Sequence, residues 1–198
     1  MKKSFKKLKL VNNPNSDPRN FLLSKMPKGS ICAEIGSWKG DFSKRIIDNT
    51  NPKKLYLVDP YIFVSNYKDA WYGGVSGSQD KMDEVYNSVV VRFKNEIENN
   101  TLEIKRNFST EALATFHDNS LDWVYIDGNH TNEFVLHDLN ISWNKVKVGG
   151  FITGDDYNLV GWWEDGVTKA VDEFIKLKEA SIGKFYIKGT QFIIEKLE

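Results

Sequence analysis

Four short segments of the sequence place acidic or glycine residues directly after an apolar run. They are residues 34–40 (EIGSWKG), Asp59, Asp127 and the Asp155-Asp156 pair. Carboxylates accept hydrogen bonds from hydroxyl groups, pair with amines and bind divalent cations. The glycines of the first segment allow a tight turn and a close approach of the backbone to a ligand. The residue types predict one polar ligand site, provided that the fold brings the four segments together.

The elements that must position these segments can be predicted from hydrophobic periodicity. Apolar runs predict five strands, at residues 30–35, 54–58, 102–104, 121–126 and 151–153. Helical spacing or capping signals predict intervening helices at residues 18–26, 41–47, 78–97, 131–146 and 167–175, with a short helix capped by Ser109. Residues 185–188 and 191–197 predict a terminal hairpin, joined at Gly189-Thr190 by a type II′ turn.

This order of elements predicts an α/β fold. Alternating strands and helices form parallel sheets with helices on both faces, a doubly wound arrangement. The terminal hairpin adds an antiparallel strand to the mostly parallel sheet. The 198 residues fit a single domain over 1–198. Its first 15 residues are basic and predict a frayed terminus. Ligands of such sheets bind at the carboxyl ends of the strands, where the acidic segments fall.

The first two segments favour a particular ligand chemistry. The loop at 34–40 is neither a Walker loop nor a G-x-G-x-x-G turn, because Glu34 takes the first position. A carboxylate there suits a cationic amine better than a pyrophosphate. Asp59 lies roughly 20 residues farther on, where a carboxylate can bind a ribose diol. A simple glycine turn and an aspartate that caps the turn before Pro60 are the alternatives.

Four motifs then resemble one enzyme family. Class I S-adenosylmethionine-dependent methyltransferases have motifs similar to four segments of this sequence: EIGSWKGDFS, LYLVDPY, VYIDGNH and VGGFITGDDY. The last two resemble the small metal-dependent O-methyltransferases, above all the macrocin O-methyltransferase and cephalosporin hydroxylase-like group, with catechol O-methyltransferase more distant. The resemblance covers about residues 30–160. It implies a Rossmann-like, seven-stranded sheet with an antiparallel C-terminal strand, and S-adenosylmethionine as cofactor.

The resemblance also implies roles for individual residues. Glu34, Gly36 and Gly40 would surround the amino acid end of the cofactor, Asp59 would bind its ribose, and Ser109 with Thr110 would lie near its adenine. The remaining predicted cofactor-binding residues are Ser37, Trp38, Pro60 and Asp127.

A divalent cation is implied on Asp127, Asp155 and Asp156. Three carboxylates form a hard oxygen site that suits Mg²⁺, with Mn²⁺ or Ca²⁺ as competitors. The alternative for Asp155 and Asp156 is that they only cap the turn after the fifth strand. His130 follows Asp127 at the offset where related enzymes place a basic residue, so Asp127 and His130 form the predicted catalytic set. A capping role is the alternative for His130.

The implied reaction transfers a methyl group to a hydroxyl of a small molecule, with a sugar or glycoconjugate as one candidate. An N-methyltransferase and a non-catalytic cofactor-binding partner protein are the alternatives.

Lysine plus arginine equals aspartate plus glutamate at 27 each, which disfavours nucleic acid as a partner. No run is long enough to span a membrane. The lone cysteine, Cys32, predicts a cytoplasmic protein. A homodimer could form through the helix around residues 85–97. The aromatic segment 61–77 and Trp162-Trp163 are predicted to flank the site or to pack against each other.

Overall fold

The predicted strands form one seven-stranded sheet in the computed structural model, which describes residues 17–66 and 77–198. The strands are β1 (Ile31–Ile35), β2 (Lys54–Val58), β3 (Leu102–Lys105), β4 (Leu121–Ile126), β5 (Val146–Gly154), β6 (Ile182–Lys188) and β7 (Gln191–Lys196). Their order across the sheet is β3-β2-β1-β4-β5-β7-β6. Only β7 runs against the others, because it pairs antiparallel with both β5 and β6. The predicted α/β, Rossmann-like sheet with an antiparallel C-terminal strand is therefore confirmed.

Helices cover both faces of the sheet. They are α1 (Pro18–Lys25), α2 (Asp41–Thr50), α3 (Gln79–Arg92), α4 (Lys94–Glu98), α5 (Ser109–Ala114), α6 (Asn132–Lys145) and α7 (Gly166–Leu177), followed by a 3₁₀ turn at Glu179–Ser181. One core cluster joins α5, α6 and α7 to the sheet, and a second joins α1, α2 and α3. Consecutive residues of β4 point to opposite clusters: Val124 belongs to the first and Tyr125 to the second. Each core strand is thus buried on both faces, as its apolar run indicates.

Two local predictions were wrong. Helix α6 ends at Lys145, and β5 begins at Val146 rather than near residue 151. A Cβ on Gly150 would lie 2.5 Å from the Asp122 carbonyl oxygen, so glycine allows the strand to pass close to its neighbour there. Ser109 is the first residue of α5 and not its cap, since Phe108 holds that position.

Some predictions concern residues outside those described. The basic start of the chain lies there, and so does the central part of the aromatic segment, residues 67–76. Among the described residues, no helix is long and apolar enough to cross a membrane.

The register of the sheet brings the four polar segments to one edge. Ile35 pairs with both Val58 and Ile126, and Ile126 pairs with Gly154. The residue after each of these strand ends is therefore in the same row. Those residues are Gly36, Asp59, Asp127 and Asp155. The pairing register alone places three of the predicted carboxylates along one edge of the sheet.

Gly36 allows the two central segments of this edge to approach each other. Its φ is +84°, and a Cβ at this position would lie 2.1 Å from the Asp127 carbonyl oxygen. The Asp127 amide donates a hydrogen bond of 2.8 Å to the Ile35 carbonyl just beside it. A side chain here would separate the loops after β1 and β4.

We expect Gly36→Ala to destabilise the protein more than Gly29→Ala. Both glycines have positive φ, which costs an alanine about 1–2 kcal/mol, but a Cβ on Gly29 meets nothing within 4 Å. The clash at Gly36 should add about 1–3 kcal/mol to the loss in the free energy of unfolding. Urea unfolding of the two variants measures the difference. Equal losses would contradict the close approach of the loops.

Candidate functional site

A cavity of about 850 Å³ opens at the carboxyl edge of the sheet. The predicted site residues that line it are Glu34, Gly36, Ser37, Trp38, Asp59, Pro60, Ser109, Asp127, His130 and Asp156. Gly40, Thr110 and Asp155 are not among the lining residues. Gly40 instead is the N-cap of α2 and has the left-handed conformation, with the Phe93 ring where a Cβ would lie. The structure thus brings most of the predicted site together in one cavity.

Glu34 is a buried carboxyl at the inner wall of this cavity. Its side chain is 1% exposed and accepts a hydrogen bond from the Ser43 hydroxyl. Burial raises the pKa of Glu34 to about 8, with a further contribution from the nearby charge of Asp127. A cationic group beside Glu34 would favour its ionised form. The residue can therefore bind an amine at neutral pH, as its sequence position predicts.

Asp59 ties the loops after β1 and β2 together. Its Oδ2 accepts a hydrogen bond of 2.9 Å from the Trp38 amide, and its Oδ1 accepts one of 2.9 Å from the Tyr61 amide. Burial raises the pKa of Asp59, which these two bonds oppose. Each carboxylate oxygen can accept a second bond from a diol in the cavity. The turn-forming role that was the alternative for Asp59 is therefore compatible with ligand binding.

Tyr61, the first residue of the aromatic segment that was predicted to flank the site, supports this corner of the cavity. Its backbone has a φ of +46°, and its hydroxyl lies 2.8 Å from the Ser37 Oγ. A bulky residue with positive φ is uncommon and needs surrounding contacts to hold it. Sequence periodicity carries no signal for this conformation.

Asp127, His130 and Asp156 form a compact polar cluster. The His130 Nε2 atom lies 3.3 Å from the Asp127 Oδ1 and 3.1 Å from the Asp156 Oδ2. One ligand atom from each of the three residues lies within 4.8 Å of the others. Metal–oxygen bonds to Mg²⁺ or Ca²⁺ are about 2.0–2.6 Å long, so a single cation could reach all three atoms. The cluster fits a divalent cation.

The pKa shifts in this cluster follow from burial and mutual charge. Burial raises the pKa of Asp127, and burial with the charges of Asp127 and Asp155 raises the pKa of Asp156 to about 6. Burial alone would lower the pKa of His130, but the hydrogen bond to Asp127 and the surrounding carboxylates raise it. An imidazolium would offset one of the two carboxylate charges, whereas a divalent cation would offset both.

Asp155, predicted as the third metal ligand, lies outside this cluster. Its Oδ2 accepts hydrogen bonds from Arg19 Nη2 at 2.6 Å and Nε at 3.1 Å, and its Oδ1 accepts from the Thr190 hydroxyl and, at 2.8 Å, the Asp156 amide. Burial opposes ionisation, but these donors hold the pKa of Asp155 below its usual value. Consecutive residues at a strand end point in different directions, which separates the side chain of Asp155 from that of Asp156. His130 replaces Asp155 in the cluster.

Arg19 is a charged cavity residue that the sequence analysis did not single out. It belongs to α1, lines the cavity and pairs with Asp127 at 3.2 Å as well as with Asp155. One signal was available: Arg19 is in the first turn of a helix, where the helix dipole disfavours a cation. Ion pairs with Asp127 and Asp155 offset the unfavourable interaction with the helix dipole, but these partners are too far away in sequence to be predicted.

Aromatic rings close the cavity beside the cluster. The Trp163 ring packs on His130 with a centroid distance of 4.5 Å, and Trp162 contacts Trp163 edge-on at 5.6 Å. Both tryptophans line the cavity. The two alternatives for this pair, flanking the site and packing against each other, therefore occur together.

Replacing Arg19 should leave Asp155 buried without its cation. We expect Arg19→Gln to lower the free energy of unfolding by about 1–3 kcal/mol, less than for a fully buried pair because the guanidinium is partly exposed. Arg45→Gln is the matched control, since Arg45 and Asp17 form a more exposed pair at 2.8 Å. That control should lose less than about 1 kcal/mol. Denaturant unfolding near pH 7 measures both, and an Arg19→Gln protein as stable as the control would contradict the role of Arg19.

Comparison with known proteins places the chain in a family. Residues 33–157, more than half of the chain, match the model of a family described as a methyltransferase domain. An uncharacterized protein of Acanthamoeba polyphaga mimivirus is 27% identical over 132 residues, which are 65% of this chain and 52% of that protein. The chain thus spans about half the length of that relative.

Solved structures share the fold at low sequence identity. An O-methyltransferase from Bacillus cereus in complex with SAH has a TM-score of 0.62 and 12% identity, covering 93% of this chain and 83% of its own. An rRNA methylase from Streptococcus thermophilus has a TM-score of 0.62 and 13% identity, covering 93% and 99%. The O-methyltransferase NovP has a TM-score of 0.61 and 16% identity, covering 90% and 76%. The shared fold agrees with the family match, and the chain belongs to the methyltransferase-domain family.

Proposed function

We propose that this protein transfers the methyl group of S-adenosylmethionine to a hydroxyl of a small molecule, assisted by a divalent cation. The observation that carries the proposal is that Glu34, Asp59 and the cluster of Asp127, His130 and Asp156 line one cavity. At about 850 Å³ this cavity is within the size range of small-molecule sites and could hold the cofactor beside a small acceptor.

The carboxyl groups along the sheet edge suit successive parts of the methyl donor. Glu34 would pair with the amino group, Asp59 would accept hydrogen bonds from the ribose hydroxyls, and Ser109 lies where the resemblance implies the adenine. The sulfonium supplies its own leaving group, so the protein has no need to activate the methyl carbon. The chain's task is to hold the donor and the acceptor in line.

Asp127 and Asp156 would hold the cation, and the structure motivates a change in the ligand set. Asp155 is replaced as a candidate ligand because Arg19 and Thr190 already occupy its oxygens. Mg²⁺ commonly binds through one or two carboxylates and retains several waters, which suits this pair; Mn²⁺ and Ca²⁺ are the competitors. Such an ion lowers the pKa of a coordinated hydroxyl by many units.

His130 would accept the proton of the acceptor hydroxyl at its Nε2 atom. The packing of Trp163 on the imidazole ring limits its rotation. Without a cation Nε2–H donates to Asp127 and Asp156, and a cation on those two carboxylates would release Nε2 to accept the proton. A proton acceptor must lie within hydrogen-bond reach of the group that reacts, and the cavity wall gives His130 that position. The rings of Trp162 and Trp163 would contact the apolar face of a sugar or a phenol.

Methyl transfer should depend on the cation and on Asp156. A screen of hydroxylated sugars and phenols with labelled S-adenosylmethionine and Mg²⁺ should reveal an acceptor. Chelation and Asp156→Asn should each reduce kcat by about 10²-fold or more, because the acceptor hydroxyl keeps its high pKa. Asp172→Asn, on α7 and bonded to the Tyr157 hydroxyl, is the control that should retain full activity. Transfer that survives chelation would remove the cation from the proposal, and absence of S-adenosylmethionine binding by calorimetry would overturn it entirely.

The pH dependence of kcat should identify His130 as the proton acceptor. A proton acceptor acts in its neutral form, so the rate of the cation-loaded protein should rise as pH increases through the pKa of His130. The neighbouring carboxylates raise that pKa in the protein without cation, and a cation bound to them would offset the effect. His130→Gln should lower kcat by about 10²–10⁴-fold and abolish this rise. His117→Gln, in the turn before β4, should leave the profile unchanged. A His130→Gln protein with the wild-type profile would assign the proton to another group.

A further inference from the structure

Asp138 is a buried carboxyl group that neither the family resemblance nor the proposed reaction uses. It lies on α6, its side chain is 3% exposed, and it lines the cavity. Its Oδ1 atom has no hydrogen-bond partner within the part of the chain that the structure describes. A buried polar atom without a partner destabilises a protein, so such an atom at a cavity wall indicates a missing donor.

The surroundings of Asp138 supply no charge to compensate it. The Ser109 hydroxyl hydrogen-bonds to the carboxylate, and no charged group of the described residues contributes to its pKa shift. Burial raises the pKa of Asp138 to about 7. In either protonation state one oxygen can accept a hydrogen bond. A neutral N–H donor on a ligand would satisfy it without burying a second charge.

Two phenylalanine rings flank the same part of the cavity. Phe134 precedes Asp138 by one helical turn, and Phe108 precedes Ser109. Both rings line the cavity, and they are 39% and 45% exposed. Exposed aromatic faces provide stacking surfaces for a planar ring. Together with Asp138 they describe a site for a flat heteroaromatic group that carries an N–H donor at its edge.

We propose that Asp138 accepts a hydrogen bond from the 6-amino group of the cofactor's adenine and so selects 6-aminopurines. This inference rests on the proposed binding of S-adenosylmethionine in the cavity. Ser109 cannot provide the same selectivity, because a hydroxyl both donates and accepts. A purine that lacks the amino group would leave the Oδ1 atom of Asp138 without a donor. A site built to pair with a donor rejects such an analogue.

Binding of two ligands to the wild-type protein tests the inference without any substitution. The ligands are S-adenosylhomocysteine and its analogue with purine in place of adenine, which lacks only the 6-amino group. Calorimetry should give an affinity about 10-fold or more higher for S-adenosylhomocysteine. Equal affinities would overturn the role of Asp138 while leaving the proposed function intact. If neither ligand binds, the proposed function fails and this inference fails with it.

Substitution of Asp138 locates the selectivity. In Asp138→Leu the side chain has a similar shape but no hydrogen-bond acceptor. This variant should bind the two ligands with affinities that agree within about 3-fold, because only the affinity for S-adenosylhomocysteine falls. Asp138→Asn keeps an amide oxygen and should restore part of the preference. Asp172→Leu, whose carboxylate bonds the Tyr157 hydroxyl outside the cavity, should retain the full wild-type preference. If Asp138→Leu kept the preference, another residue would recognise the 6-amino group. If Asp138 were purely structural, the substitution would lower the affinity for both ligands by the same factor.

Discussion

The concentration of carboxyl groups at one edge of the sheet is the constraint on which the rest of this structure depends. The register of β2, β1, β4 and β5 places the residues after four strand ends in one row, and three of those residues are aspartates. Glu34 and Asp156 lie close to the same row. Several buried carboxylates near one another disfavour ionisation unless cations or donors compensate them. Each of these groups therefore has a specific arrangement that makes its burial tolerable.

The arrangements differ, and the differences separate structural carboxylates from those open to a ligand. Asp155 is fully engaged by Arg19, Thr190 and a backbone amide. Asp59 is half engaged, since two amides bond its oxygens and leave acceptor capacity toward the cavity. Glu34 has one hydroxyl donor and a pKa raised by burial to about 8. The chemistry of the cavity thus follows from how much of each acceptor the chain itself satisfies.

The sequence was sufficient to predict the number and order of the strands, although β5 begins earlier than its apolar run. It also predicted the polar cavity residues that follow strand ends. It could not predict which way each residue at a strand end turns. Asp155 and Asp156 are neighbours of the same type, but Asp156 has a φ of +61° and faces His130, whereas Asp155 faces Arg19. Arg19 itself lies more than a hundred residues from its partners in sequence, and only the packing of α1 brings it to them. Long-range pairs of this kind leave no periodic signal.

Asp155 and Asp138 illustrate the same physical rule with opposite outcomes. Both are buried carboxyls, and both would destabilise the fold if left without donors. The chain supplies Asp155 with a guanidinium from α1, and its pKa is held low. The chain supplies Asp138 with one hydroxyl, and its pKa is raised to about 7. The Oδ1 atom of Asp138 remains without a donor at the cavity wall, which is the position where a ligand could supply one.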